Sequence, residues 1–191
     1  MAIRRCRFRK GARSANKGAQ DACVGKNPTD RAKSGVKKSL LVDGDGGPLA
    51  VCIAGASVHD TKLSASTLDA IVVERPQPEE QEQNLCLDKG YDNPTGHQAA
   101  QEAGYIADIR RIGEEKCDEE GEKSRPARRW VVERTFAWLS RCRGILVRWE
   151  KKAENYLAMV KLACALLWFR RLHKLTPQFQ YLRQNELIVR E

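Results

Sequence analysis

The stretch from Arg128 to Leu139, RRWVVERTFAWL, constrains the fold most, because apolar residues recur at helical spacing around most of its circumference. We predict a largely buried helix here, whose apolar residues are Trp130, Val131, Val132, Phe136, Trp138 and Leu139. Glu133 lies in the middle, one turn after Arg129. An ionised carboxylate on an apolar helix is costly unless a cation meets it. Glu133 is therefore either the partner of Arg129 in an ordinary helix ion pair or a functional carboxylate.

Charge is distributed unevenly along the chain, whose net charge is +9. Residues 1–38 carry 12 Lys and Arg against 2 Asp and Glu, and residues 121–191 carry 16 against 6. Residues 74–120 carry 5 against 13, so two basic ends flank an acidic middle. Basic ends predict a polyanion partner, most often DNA or RNA, with a generally basic soluble protein as the alternative.

Cysteine usage and hydropathy bear on where the protein works. The 7 cysteines are scattered without a CxxC pair, which indicates a reducing compartment and argues against a disulfide framework or a structural zinc site. No apolar run approaches the roughly 18 residues of a membrane span. The first residues, MAIRRCRFRK, lack the apolar core of a secretory signal. We therefore expect a cytoplasmic protein without a membrane segment.

Composition divides the chain into three parts. Residues 1–35 have too little periodic apolar content for a confident strand, and we expect a mobile basic N-terminal arm. Residues 36–175 form the predicted core, and residues 176–191 a C-terminal tail. Turn-forming residues between Gly25 and Gly35 predict a loop with basic side chains, those of Lys26, Arg31 and Lys33.

The first half of the core is predicted to form a hairpin followed by a helix. Two β-prone runs, residues 37–42 and 49–54, flank an Asp- and Gly-rich turn and predict an antiparallel hairpin. Asp60 then occupies a helix-capping position before apolar spacing typical of a helix over residues 61–73.

The second half begins with a strand–helix–strand unit over residues 84–110, which predicts two parallel strands in one sheet. Its first strand, NLCL, ends at Asp88, and ligands of such sheets bind beyond the carboxyl ends of the strands. Capping of the following turn is the alternative role for Asp88. An apolar helix over residues 153–174 is expected to pack on the sheet.

Asp88 and Glu133 are the two carboxylates that stand out. Carboxylates brought together bind Mg²⁺ or Mn²⁺, and two such ions activate a water or hydroxyl in phosphoryl-transfer enzymes. Clustered guanidinium groups around the Glu133 helix suit phosphates; they belong to Arg125, Arg128, Arg129, Arg134, Arg141, Arg143 and Arg148. The tryptophans of this region have core spacing, which favours packing over base stacking.

Several motifs occur in an order that resembles a known family. They are GKNPTDRAKSGVKKSLLVDGDGGPLAV, GASVHD, LCLDKGYD, and RRWVVERTFAWL followed by RWEKKAENYLAMVKLACAL. Together they resemble bacterial insertion-sequence DDE transposases of the IS-five type, in the IS-four/IS-five superfamily. The resemblance implies that Asp88 and Glu133 are the second and third catalytic carboxylates and ligands of Mg²⁺ or Mn²⁺. It also implies that Tyr91 and Arg129 lie near the DNA and the site, and it puts Ser140 where relatives often have Lys.

The resemblance implies an α/β, RNase H-like mixed sheet flanked by helices, with its first three strands antiparallel. The implied activity is metal-dependent cleavage and strand transfer on double-stranded DNA, the transposon ends and the target, by a nucleoid-associated protein. A homodimer or a mixed oligomer with intact transposase is a further expectation. The residues expected to bind DNA are Lys26, Arg31, Lys33, Tyr91, Arg128, Arg129, Arg134 and Arg141.

One departure from the family matters for activity. The first aspartate of the family is expected within residues 1–20, which contain no Asp or Glu. Asp21 and Asp43 are weak substitutes, since they belong to the arm and to a turn expected at the opposite end from the site. We therefore expect an N-terminally truncated or frame-shifted copy with an incomplete first strand and impaired cleavage. The alternatives are a non-catalytic DNA-binding remnant, regulatory or without a role, and a product that does not fold stably.

Overall fold

The computed structural model describes residues 2–8, 23–28, 31–77, 81–109 and 129–175. Three predictions fall outside these residues: the C-terminal tail, the substitute carboxylate Asp21 and the DNA contact of Arg128.

A five-stranded sheet forms the centre of the described fold. Its strands are β1 (Ala2–Phe8), β2 (Gly25–Lys26), β3 (Ser34–Val42), β4 (Pro48–Gly55) and β7 (Val147–Arg148). The central strand β3 pairs antiparallel with β1, β2 and β4, while β7 pairs parallel with the end of β1. The predicted hairpin is therefore confirmed, and the three long strands are antiparallel as the resemblance implies.

The expectation that the N-terminus lacks a strand is wrong for residues 2–8. This segment pairs with β3 from Ala2 opposite Leu40 to Arg7 opposite Gly35. Its strand structure comes from hydrogen bonds to β3, whose paired residues lie 28 to 38 positions further along the chain, and local apolar periodicity does not report such pairing.

The strand–helix–strand unit is present as predicted, with β5 (Asn84–Leu87), α2 (Pro94–Glu102) and β6 (Ile106–Ile109). The Asn93 side chain accepts a hydrogen bond from the Gly96 amide and so caps α2. β5 and β6 pair parallel, but in the described chain they form a separate two-stranded sheet. The single mixed sheet that the resemblance implies is therefore not what the described strands form.

The remaining helices are α1 (Ser64–Asp69), α3 (Arg129–Leu139) and α4 (Ala153–Leu175). A 3₁₀ turn over Asp60–Leu63 precedes α1, so the helix predicted over residues 61–73 is shorter than expected. His59, and not Asp60, caps this turn by accepting from the Thr61 amide. Among the described residues no helix combines the length and the apolar character needed to cross a membrane.

Two apolar clusters cover opposite faces of the β3–β4 hairpin, since neighbouring strand residues point to opposite sides. The first joins α3 and α4 to the sheet and contains Val36, Leu40, Val51, Val132, Phe136, Leu139, Tyr156 and Val160. The second joins α1, α2 and the β5–β6 pair and contains Leu41, Ala50, Leu68, Leu85, Leu87, Tyr91 and Ala100.

α3 is buried on one side only, which corrects the expectation of a largely buried helix. Val131, Val132 and Phe136 are each less than 5% exposed, whereas the Trp130 side chain is 54% exposed. Glu133 lies on the exposed side with Trp130. The apolar spacing predicted the helix correctly, but it did not show which of its residues face the sheet.

Candidate metal-binding and DNA-binding site

Asp88 follows β5 directly, at the position that the sequence predicted for a ligand of the sheet. Its backbone carbonyl accepts a hydrogen bond from the Tyr91 amide at 2.8 Å, which closes the 3₁₀ turn Lys89–Tyr91. This turn directs the Tyr91 ring into the second apolar cluster, where it is 3% exposed. The Asp88 carboxylate is partly buried, and its metal-binding role stays a prediction.

The Tyr91 hydroxyl is buried and has no hydrogen-bond partner in the described structure. Burial raises the pKa of this hydroxyl, and the carboxylates of Asp60 and Asp88 raise it further. The Tyr91 phenol is therefore neutral at physiological pH. Its predicted DNA contact stays a prediction; the buried ring offers no stacking face.

Asp60 owes its position to a buried lysine. Lys37 lies on β3 with only 1% of its side chain exposed, and its ammonium donates to the Val58 carbonyl and the Asp60 carboxylate. The Asp60 side chain is 41% exposed, so it reaches from the buried charge to the surface. Sequence analysis interpreted Asp60 as a helix cap and missed this pair. The available signal was a lysine in a strand expected to pack in the core, since a buried ammonium is rarely unpaired.

Glu133 lies near the turn of the hairpin. The residues that follow it bind this turn: Arg134 donates to the Asp45 carbonyl at 2.6 Å, and Thr135 to the Gly46 carbonyl at 2.7 Å. About 20 Å of strand separates Lys37 from the turn. The contacts next to Glu133 and those around Asp60 and Tyr91 thus involve different ends of the hairpin. Joint cation binding by Asp88 and Glu133 stays a prediction.

The hairpin turn, which was expected at the opposite end from the site, contacts the Glu133 helix α3. Asp43 itself is occupied as a turn residue, because its carboxylate accepts from the amides of Asp45 and Gly47 at 2.9 and 2.6 Å. Among the described residues, no group of three or more His, Cys, Asp and Glu side chains is arranged to hold a metal ion. The described residues therefore do not form the three-carboxylate metal site that the resemblance implies.

Three of the basic residues predicted to bind DNA lie together. Lys26, Arg31 and Lys33 are exposed on β2 and on the segment that leads into β3. The Asn27 amide donates to the Lys33 carbonyl at 2.8 Å, which brings these two positions together. It joins the start of β3, so these cations share the open end of the hairpin with Lys37.

The arginines of the α3 region differ from one another. Arg141 is exposed beyond the helix. Arg134 is partly buried, stacks over the rings of Trp130 and Trp138 at 4.7 and 5.0 Å, and binds the hairpin turn. Its guanidinium therefore has a structural use, and its DNA contact stays a prediction. The Arg129 side chain lies outside the described part of the structure.

Comparison with known proteins gives two matches. The family model described as "Transposase DDE domain" matches residues 2–168. The "Putative transposase for insertion sequence element IS402" of Burkholderia cepacia is 34% identical over 154 residues, which cover 79% of this chain and 71% of that protein. No solved structure matches.

Proposed function

Because the chain belongs to the DDE transposase domain family, we propose that it acts on double-stranded DNA as an insertion-sequence transposase of the IS-five type with impaired cleavage and strand transfer. The observation that carries the proposal is the family match over residues 2–168, which includes the carboxylates Asp88 and Glu133. Impairment follows from residues 1–20, which contain no acidic side chain where the first carboxylate is expected.

The proposed chemistry requires a carboxylate-held divalent cation, Mg²⁺ or Mn²⁺, which polarises the phosphate and the attacking oxygen when bound. In this proposal Asp88 and Glu133 supply carboxylate oxygens to it. The chain's cations bind the DNA backbone and hold it in register: Lys26, Arg31 and Lys33 act at the open end of the hairpin, and Arg141 acts beyond α3.

The proposal is tested by incubating the purified chain with end-labelled duplex DNA carrying the insertion-sequence ends, with Mg²⁺ or Mn²⁺. We expect DNA binding together with slow cleavage that Asp88→Ala or Glu133→Ala abolishes. Cleavage that neither substitution changes would remove both carboxylates from the proposal. A chain that fails to bind duplex DNA at low salt would remove DNA as the substrate.

The second candidate function is DNA binding without catalysis, as a regulator of intact transposase or as a remnant without a role. It is favoured by the lack of a described three-ligand metal group. In this case DNA affinity falls steeply with salt, and Glu133→Ala leaves both the affinity and its salt dependence unchanged. Assembly as a homodimer or as a mixed oligomer belongs to the same proposal. Light scattering of the chain, alone and mixed with intact transposase, measures it.

A further inference from the structure

The helix α4 is apolar on the side that faces solvent as well as on the side that faces the sheet. Tyr156 and Val160 pack in the first apolar cluster and are fully buried. On the opposite side, four large apolar side chains are about half exposed or more: Leu162 at 62%, Leu166 at 45%, Phe169 at 53% and Leu172 at 51%. A helix that is apolar around its whole circumference is typical of one covered on both sides, and a large exposed apolar patch marks an interaction surface.

The exposed side of α4 follows the repeat of a coiled coil. Its exposed positions alternate in steps of three and four residues, and we call them the α4 seam: Asn155, Ala158, Leu162, Ala165, Phe169 and Leu172. Such steps average 3.5 residues, which keeps one narrow face of a helix directed at a second helix. No charged residue occupies the seam. Its occupant is therefore a helix with an apolar face.

The sizes of the seam residues indicate that this second helix is α4 of another copy. In a parallel pair of copies each residue faces itself, so the small Ala165 side chains meet across a gap. In an antiparallel pair centred between residues 163 and 164, Leu162 faces Ala165 of the second copy, Phe169 faces Ala158 and Leu172 faces Asn155. Large then meets small in each layer, as close packing requires. A two-fold axis makes this one patch complementary to itself.

We propose that the chain forms a two-fold symmetric dimer through the α4 seam, with the two α4 helices antiparallel. The proposal gives a surface to the homodimer of the proposed function, and it rests on that function only for the use of the dimer on DNA. The exposed seam side chains offer on the order of 400 Å² of apolar surface per copy, about half of the roughly 800 Å² per partner in a stable complex. The dimer should therefore be reversible and depend on protein concentration.

Sedimentation equilibrium of the full chain without DNA, over a series of concentrations, measures the dimer. We expect a monomer–dimer equilibrium that Leu162→Lys weakens by about a hundredfold or more, because a two-fold interface loses the contact twice and buries two unpaired charges. The melting temperature of the dilute variant should match that of the wild type, since the Leu162 side chain is 62% exposed in the monomer.

Val72→Lys is the matched control. The Val72 side chain is 78% exposed and lies outside α4, so the same added charge should leave the dimerisation constant unchanged. Equal weakening by Val72→Lys and Leu162→Lys would show that net charge, and not the α4 seam, controls association, and would overturn the proposal.

A mixing experiment tests the antiparallel register. Ala165→Glu alone should weaken the dimer by about tenfold or more, because its carboxylate would face the apolar Leu162 of the second copy. An equal mixture of Ala165→Glu and Leu162→Lys should associate at least about tenfold more tightly than either variant alone, since the new carboxylate then faces the new ammonium. In a parallel pair the two positions do not face each other, so a mixture without recovery would overturn the register.

Other outcomes overturn the interface itself. A wild-type chain that stays monomeric at every concentration would do so, and a lower melting temperature of Leu162→Lys in that case would assign the α4 seam to another segment of the same chain. If Leu162→Lys does not fold, Ala165→Glu decides alone. A dimer that neither binds nor cleaves duplex DNA would keep the seam and reject the proposed function. DNA cleavage by a monomeric chain would keep that function and reject the seam.

Discussion

Lys37 illustrates how one side chain determines a region that local sequence patterns do not reveal. Its ammonium is buried on the face of β3 opposite to α3, and the Val58 carbonyl and Asp60 satisfy it. Since Lys37 and Asp60 are separated by the whole hairpin, spacing along the chain could not pair them. The position of Asp88 at a strand end was predicted because the strand before it is recognisable in the sequence. The pairing of Asp60 with Lys37 depends on a tertiary contact.

The Lys37–Asp60 pair leads to a stability prediction. Asp60→Asn should lower the free energy of unfolding by about 1–3 kcal/mol, less than for a fully buried pair because the carboxylate is partly exposed. Adding Lys37→Met should recover part of the loss, since no buried charge then lacks a partner. Urea denaturation of the single and double variants measures this, and a double variant less stable than Asp60→Asn would contradict it.

Cys164 gives a prediction about pH. Burial raises the pKa of its thiol from 9.0 to about 11. A thiol that binds its proton more tightly when folded contributes stability that is complete below the unfolded pKa and is lost as pH rises from 9 to 11. Its share should fall by about 1.4 kcal/mol between pH 8 and pH 10. Cys164→Ala should show a smaller decline over this range in urea denaturation; equal declines would contradict the prediction.

Elements with a local sequence pattern were predicted. β1, which depends on pairing with a strand far along the chain, was not. The hairpin, the β5–α2–β6 unit and α4 follow from alternation, turn residues and continuous apolar runs. β1 was missed because its partner strand lies far along the chain. The buried side of α3 was missed because its apolar residues occupy nearly every helical position, so spacing alone does not select a face.

The hairpin turn is held by side chains of α3 and α4, and Gly47 permits this close approach. A Cβ atom at Gly47 would lie 2.4 Å from the Trp168 ring and 2.6 Å from the Asp43 carboxylate. The Trp168 indole also donates to the Pro48 carbonyl at 2.8 Å, so the ring cannot move away without losing a hydrogen bond.

Gly47→Ala should therefore destabilise the fold by about 1–3 kcal/mol, because the added methyl group displaces the indole or the turn. Gly90→Ala is the matched control: a Cβ atom there meets nothing within 4 Å, and we expect a change within about 0.5 kcal/mol. Thermal unfolding of both variants measures the difference. Equal stability of the two would show that α4 does not hold the turn in this way.

Across the whole molecule, charge is arranged so that cations and carboxylates share the open end of the hairpin. The uneven charge of the sequence predicted a polyanion partner, but it could not show that Lys26, Arg31 and Lys33 lie at the end that carries Asp60. That placement depends on β2 pairing with the start of β3.

Replacing Lys26, Arg31 and Lys33 together by Gln should reduce the slope of log affinity against log salt by up to about 3 for duplex DNA. Fluorescence anisotropy between 50 and 200 mM salt measures the slope. Replacing the exposed lysines Lys151, Lys152 and Lys161 by Gln removes the same charge from positions not predicted to touch DNA. If both triple variants change the slope equally, DNA is attracted by net charge alone and the open end is not its site.

The most direct test of where the cation binds is cleavage of the protein backbone by bound iron. Fe²⁺ replaces Mg²⁺, ascorbate and peroxide generate hydroxyl radicals at the ion, and mass spectrometry maps the cut positions. We expect cuts near residues 88–91 and near Glu133, suppressed by excess Mg²⁺ and by Asp88→Ala. Cuts confined to one of these two regions, or unchanged by Asp88→Ala, would contradict joint cation binding by Asp88 and Glu133.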